Sequence, residues 1–453
     1  MLFNSYEYLC YFLPATLAGF FLLGRRPAWA TLWLVAASLF FYGWWKPSDL
    51  PLIVASILVN FAFGRALQRA PLSNRWLLPL AVATNLAVLA VYKYADFLLQ
   101  GWSDLTGRPV TLLHIALPLG ISFFTFTQIA FLVDCRRRQA TEPSLAHYAL
   151  FVSFFPHLLS GPILHHAEMM PQFASPSNKR MQPGNLAAGL FLLAVGLAKK
   201  VLLADTLAPI ADAGFADPGQ LGTLAAWQAV LAYTFQIYFD FSGYTDMALG
   251  AALMFNIRMP INFDSPYRST DLREFWSRWH ITLSRFLRQY LYIPLGGNRR
   301  GEVRTLANVL ITFVLGGLWH GAAWTFVIWG LLHGTGLVTL RLWQRTGIAL
   351  PKPLAWAVTF LFVVVTWVFF RAASVGDALA MLHAMTRFSG GTLAAWPMTL
   401  LAIALALCAW HRNSNRMVAE FRPGLVNGAA VTIAVVASLL HLGNVTPFLY
   451  FNF

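Results

Sequence analysis

Long apolar stretches alternate with short polar, mostly basic joints along the whole chain. A bilayer span needs about 20 apolar residues, within a range of roughly 17–25. Uncharged stretches that meet or approach this length run over Tyr8–Leu23, Pro27–Trp45, Leu50–Gly64, Trp76–Tyr92, Pro109–Val133 and Tyr148–Leu164. They continue over Leu186–Ala198, Pro218–Phe239, Thr305–Leu340, Pro353–Phe370, Phe388–Trp410 and Gly424–Phe453. The pattern predicts an all-α fold: a polytopic integral-membrane helical bundle of about 11–13 membrane segments. It forms one domain over residues 1–453, with no repeat or soluble module. Tyr148–Leu164 carries FFPHLLSGP, whose prolines and glycine predict a broken or re-entrant segment covered by protein or water.

Between Met259 and Arg304 the pattern changes to an amphipathic one. Arg258 to Arg304 includes nine arginines and no lysine. At 100° per residue, Leu272, Phe275, Trp276, Trp279, Leu283, Phe286, Leu287 and Tyr290 share one arc. Arg273, Arg278, Arg285 and Arg288 share the other. This predicts one helix over Asp271–Ile293, lying in the membrane interface. Asp271 is its expected N-cap, with Glu274 three residues on. His280 falls near the border of the two arcs.

Composition supports the membrane reading. Hydrophobic residues make up 58% of the chain and charged residues 11%, against about 25% charged in a soluble domain. The formal net charge is +14. Because the basic residues sit between apolar spans, that charge reads as an excess in cytoplasmic loops and not as a nucleic-acid surface. Basic loops at Arg25–Arg26, Arg65–Arg75 and Arg136–Arg138 alternate with basic-poor ones, which places the N-terminus on the periplasmic side. The opening MLFNSYEYLC has Glu7 and no basic residue, so no cleavable signal peptide is expected. Cys10, Cys135 and Cys408 are too scattered for a disulfide framework or a zinc site.

Ionisable residues at membrane depth are functional candidates. His320 lies near the centre of a 36-residue uncharged stretch between Arg304 and Arg341. Glycines and tryptophans surround it, in GLWHGAAW. A neutral imidazole can take a proton from a hydroxyl and return it to a leaving group. On residues alone, a structural histidine between helices fits as well. His280, in EFWSRWHITLSRF, is the second candidate, with an inert interfacial histidine as its alternative. Asp240 and Asp246, in YFDFSGYTDMALG, are expected either to pair with arginines of the following segment or to line a polar cavity. The spacing of His157, His165 and His166 does not indicate a metal site. His333 reads as a packed core histidine. No GxSxG, Walker or GxGxxG motif occurs.

Taken together, DFSGYTDMALG, INFDSPYRSTDLREFWSRWHITLSRFLRQYLYIPLGGN and LGGLWHGAAWTFVIWGLLHG resemble the bacterial branch of the membrane-bound O-acyltransferases. LFYGWWKP, FFPHLLSGPI and the closing PFLYFNF are also similar to that branch, so the resemblance runs nearly end to end. It implies a helical bundle around a central tunnel, with His320 essential and His280 supporting it from the opposite wall. Asp240, Tyr244, Trp276, Arg278, Trp279 and Trp319 stand within these motifs as candidate substrate-binding residues. The implied donor is a cytoplasmic thioester, acetyl-CoA, with no bound cofactor or metal. The implied acceptor is an exopolysaccharide such as alginate or cellulose beyond a bacterial inner membrane. A periplasmic acetyltransferase, polysaccharide assembly proteins and membrane lipid are the implied partners. Two rivals stand beside this expectation. One is acyl or D-alanyl transfer from a carrier-protein thioester to lipid, protein or teichoic acid. The other is a transporter without chemistry.

Overall fold

In a computed structural model, residues 1–71, 73–142, 144–389, 395–410, 412–442 and 448–449 are described. Among them the chain is helical, with no strand. Seven helices are long and apolar enough to cross a membrane: Glu7–Arg25, Pro47–Arg69, Leu77–Thr106, Pro183–Ala216, Glu302–His320, Trp324–Thr346 and Lys352–Arg371. Pro27–Gly43, Ala395–Ala409 and Leu425–Leu440 are shorter apolar helices. Of the closing PFLYFNF, only Phe448 and Leu449 lie within the described residues.

Nine helices frame the site. They are α1 (Leu77–Leu89), α2 (Ile121–Arg136), α3 (Pro183–Ala198), α4 (Thr223–Met254), α5 (Leu272–Arg278), α6 (Ile281–Leu287), α7 (Glu302–His320), α8 (Trp324–Trp343) and α9 (Lys352–Arg371). The 32-residue α4 is the central post, with nearly every side chain from Val230 to Ala252 buried. A helix that is apolar all round belongs inside a bundle. It packs backbone to backbone on α3, where any side chain on Gly243 would meet the Gly196 carbonyl. A π-helical turn, Lys199–Ala204, follows α3. It lets two consecutive lysines reach α4: Lys200 Nζ lies 2.8 Å from Asp240 and 2.7 Å from Asp205, and Lys199 Nζ lies 2.6 Å from Asp246. The aspartates therefore pair with lysines of the preceding helix, and not with arginines of the following segment.

Three further expectations change. Pro109–Val133 is not one helix, because 107–118 is irregular and only Ile121–Arg136 is helical, entered through Gly120 at φ 69°. Trp76–Tyr92 does not stop before Lys93 but continues through a π-helical turn to Thr106. The amphipathic helix is also broken. His280, at φ 44° and ψ 53°, separates α5 from α6. The preceding strip of chain holds the break open: Asp264 N–H donates to the Arg278 carbonyl at 2.9 Å, and Ile281 N–H to the Asn262 carbonyl at 3.0 Å. Phe275, Trp279, Leu283 and Phe286 are buried in the protein core and not laid against the membrane interface. The expected N-cap is present, since Asp271 accepts from Glu274 N–H at 2.8 Å and Glu274 accepts from Thr270 N–H at 2.8 Å. Tyr148–Leu164 is broken as expected at FFPHLLSGP: the helix Leu145–Ser153 ends before it, and only Phe155–Leu158 within it is helical.

Candidate active site

The 36-residue stretch folds as two helices, α7 and α8, joined by Gly321, Ala322 and Ala323. Nineteen residues give α7 a length of about 28 Å at 1.5 Å per residue. His320 is its last residue. Small residues let the two helices approach closely. A side-chain carbon on Gly317 would collide with the Phe326 carbonyl oxygen, and one on Gly330 with the Phe313 carbonyl oxygen. This contact draws Trp329, nine residues downstream, against His320, with ring centres 5.2 Å apart and planes at 88°.

A helix ending at membrane depth leaves its last carbonyls without intrahelical donors, and no water replaces them there. Two residues of the helix that continues from α1 supply donors. Tyr94 Oη donates to the Leu318 carbonyl at 2.9 Å. Lys93 Nζ donates to the carbonyls of Trp319 at 2.5 Å and His320 at 3.2 Å, and to Ser122 Oγ at 3.3 Å.

His280 lies close to His320, with ring centres 6.3 Å apart. Its Nδ1 lies 3.1 Å from Asn262 Oδ1, which also accepts from Thr282 N–H at 3.2 Å and Thr282 Oγ1 at 2.9 Å. The Thr282 amide can only donate, so the Asn262 atom is an acceptor and His280 Nδ1 carries the proton. That leaves the His280 Nε2 lone pair unprotonated. Burial lowers the His280 imidazole to about 3, so it stays neutral at working pH. A left-handed backbone is uncommon outside glycine, and such outliers cluster at functional sites.

His320 lines one cavity, and the next residue in the chain, Gly321, lines another. The first, of about 360 Å³, runs from Arg273, Arg288 and Arg341 at its mouth to His320 and Trp329. Its walls are mostly carbon, from residues such as Leu283, Leu287 and Phe313. The second, of about 330 Å³, begins at Gly321 and is bordered by Lys93, Asp96 and Ala323. One histidine thus stands where an anion-attracting, apolar-walled cavity approaches a more polar one.

A model of the MBOAT, membrane-bound O-acyltransferase, family matches residues 75–376. The chain belongs to this family. It is a multi-pass membrane O-acyltransferase. It is 44% identical over 428 residues to a peptidoglycan O-acetyltransferase of Helicobacter pylori, covering 87% of this chain and 81% of that one. It is 39% identical to a probable alginate O-acetylase of Pseudomonas putida over the full length of both. A teichoic acid D-alanyltransferase of Streptococcus thermophilus is 32% identical over half of this chain and 57% of its own length.

In this O-acyltransferase the residues singled out from sequence fall in different places. His320, His280, Trp319 and Trp276 gather: Trp319 packs 4.9 Å from His320 and 6.2 Å from His280, and Trp276 lines the arginine-mouthed cavity. Trp279 lies one layer behind, stacked on Phe275 and Tyr267. Arg278 bonds Glu274 and the Asp264 carbonyl and does not line that cavity. Asp240 belongs to the Lys200 ion-pair network, and Tyr244 accepts from Ser160 N–H at 3.3 Å while stacking on Phe3. Neither lines the cavity at His320. His333 is held on both sides: Nδ1 accepts from Trp276 Nε1 at 3.3 Å, and Nε2 lies 3.0 Å from Thr366 Oγ1. His157 bonds the Phe151 carbonyl, and His165 bonds Tyr290. Sequence reasoning missed Lys93, Tyr94, Asn262 and Trp329. Lys93 alone carried a signal, as a charge beside a long apolar stretch.

Proposed function

We propose that this O-acyltransferase moves an acetyl group from cytoplasmic acetyl-CoA to a hydroxyl of a carbohydrate polymer beyond the inner membrane, with the N-terminus periplasmic. The observation that carries the reading is His320 at the inner end of the arginine-lined cavity, with a second cavity beginning at the next residue, Gly321. The arginine mouth of the first suits the phosphates of a CoA donor, and the apolar walls suit its pantetheine arm. The second cavity suits an acceptor hydroxyl. His320 takes the proton of that hydroxyl, whose oxygen attacks the thioester carbonyl carbon. The C–O bond forms, the C–S bond breaks, and the proton passes from His320 to the departing thiolate. His280, fixed by Asn262, positions the facing ring. Water exclusion by the aromatic walls limits hydrolysis.

Relatives named for alginate and peptidoglycan acetylation favour a polysaccharide acceptor. An exopolysaccharide such as alginate or cellulose is the first choice, reached through a periplasmic acetyltransferase and assembly proteins. The peptidoglycan relative, at 44% identity, favours a second reading with peptidoglycan as the acceptor. The test uses the full chain in liposomes with radiolabelled acetyl-CoA and an alginate or peptidoglycan oligosaccharide as acceptor, followed by mass spectrometry of each cell-surface glycan with and without the gene. Wild type should release CoA, and His320→Ala should lose at least 100-fold in rate. Equal turnover by the two would overturn the assigned base. Turnover only with a carrier-protein thioester would overturn the donor.

A further inference from the structure

Acyl transfer needs more than a base. As the hydroxyl oxygen adds to the thioester, the carbonyl oxygen becomes an oxyanion, and buried donors aimed at it supply much of the acceleration. Lys93 and Tyr94 already donate to main-chain carbonyls, and Asn262, whose Nδ2 is unpaired, does not line this cavity. The carbon-walled cavity that ends at His320 still presents two buried donors without a partner, Trp329 Nε1 and Ser284 Oγ.

Trp329 is 1% exposed and makes ring contact with His320 itself. Of the other indoles nearby, Trp319 Nε1 is also buried and unpaired, but Trp319 does not line this cavity, and three more are occupied. Trp276 Nε1 donates to His333 at 3.3 Å, Trp367 Nε1 to Tyr267 Oη at 3.1 Å, and Trp356 Nε1 to the Tyr267 carbonyl at 2.9 Å. The Trp329 ring is held from several sides. His333 lies 4.8 Å away, Phe370 5.1 Å, Trp276 5.8 Å and Trp367 5.9 Å, the last nearly parallel. So confined a ring cannot turn to find another acceptor, and the desolvation of its N–H goes uncompensated. A fixed, unpaired donor in the wall of a reaction cavity has the character of a preorganised oxyanion site.

We propose that Trp329 is a catalytic residue whose indole N–H donates to the thioester carbonyl oxygen and holds the oxyanion of the tetrahedral intermediate. The inference rests on the acetyl-thioester reading above. His320 carries the proton from the acceptor hydroxyl to the thiolate, and Trp329 loses none. Its hydrogen bond strengthens as the C–O bond forms and relaxes as the C–S bond breaks.

The test replaces Trp329 by 3-benzothienylalanine, which keeps the ring shape and lacks the N–H, and separately by Phe. In liposomes with acetyl-CoA and the same oligosaccharide acceptor, kcat should fall on the order of 10²–10³-fold, while acetyl-CoA affinity changes less than about threefold. A second readout uses carbonyl-¹³C acetyl-CoA bound to the His320→Ala protein. Its infrared carbonyl band should lie at lower frequency than with the 329 isostere in the same background. Unchanged kcat and an unshifted band with the isostere would overturn the assignment. A loss carried by Ser284→Ala and not by the isostere would move it to Ser284. If wild type itself releases no CoA, the thioester reading fails first and takes this inference with it.

Discussion

The Lys93 ammonium holds the end of the helix that carries His320, donating to the His320 main-chain carbonyl at 3.2 Å and to its neighbour Trp319 at 2.5 Å. The two residues are 227 positions apart in sequence. Replacing Lys93 by Met removes both donors and frees the last turn of α7. A lost hydrogen bond from a charged donor costs about 1.5–3 kcal/mol, so detergent-solubilised K93M should unfold at a lower temperature. Turnover should fall about tenfold or more while acetyl-CoA affinity holds, because the ring is displaced and the donor cavity is not. K93R should recover part of the activity. Equal turnover by K93M and wild type would separate Lys93 from the positioning of His320.

Most of the bundle is legible in the apolar spacing, because a membrane helix must satisfy its own backbone within one segment. What is not legible comes from partners far away in the chain. Lys93 reads as the end of a span, since nothing local shows that the carbonyls of Trp319 and His320 accept its hydrogen bonds and anchor it there. His280 lies on a sequence whose 100° periodicity passes through it without interruption. The break is imposed by Asn262 and Asp264, 18 and 14 residues upstream of their partners His280 and Arg278. Asp240 and Asp246 announce themselves as buried charges, but their spacing cannot choose between lysines before them and arginines after. The π-helical turn at Lys199 makes that choice. His320 was visible through the motif around it, whereas Trp329 is one tryptophan among 17 until the fold leaves its N–H unpaired.

Asn262 fixes both the proton position and the orientation of His280. Asn262→Leu keeps the branched shape, at a larger volume, and removes the acceptor, leaving three buried donors unmatched. A net hydrogen bond contributes about 0.5–1.5 kcal/mol, and an orphaned buried donor costs about 1–3 kcal/mol. Turnover should therefore drop roughly tenfold, with protein still inserted at normal level. His280→Ala should drop as far, and the double variant should be no worse than either alone, since the pair acts through one ring. Additive losses in a double-mutant cycle would show that the two residues act separately.

The turn that ends at His320 depends on the touching backbones of α7 and α8. Gly330→Val places a branched side chain against the Phe313 carbonyl. Overpacking costs about 1–3 kcal/mol, and here it also pushes Trp329 away from His320. Thermal unfolding should shift downward, and turnover should fall further than stability alone explains. Gly101→Ala is the control, because Gly101 has open space around it. A Gly330→Val protein with normal melting and normal turnover would show that the close contact is dispensable.

Lys200 is the counter-ion of the central helix. Its side chain is 2% exposed and lies between Asp240, also 2% exposed, and Asp205. Removing one member of a buried pair is far more damaging than removing the pair, typically about 3–5 kcal/mol, because a lone charge stays behind. Lys200→Met should therefore leave little protein in the membrane. Adding Asp240→Asn should restore much of it, since the remaining carboxylate, Asp205, is partly exposed and can be solvated. Because the pair lies outside the cavity at His320, turnover per folded molecule of K200M/D240N should stay within about threefold of wild type. Well-folded double variant with turnover lost more than tenfold would place Asp240 in substrate handling after all.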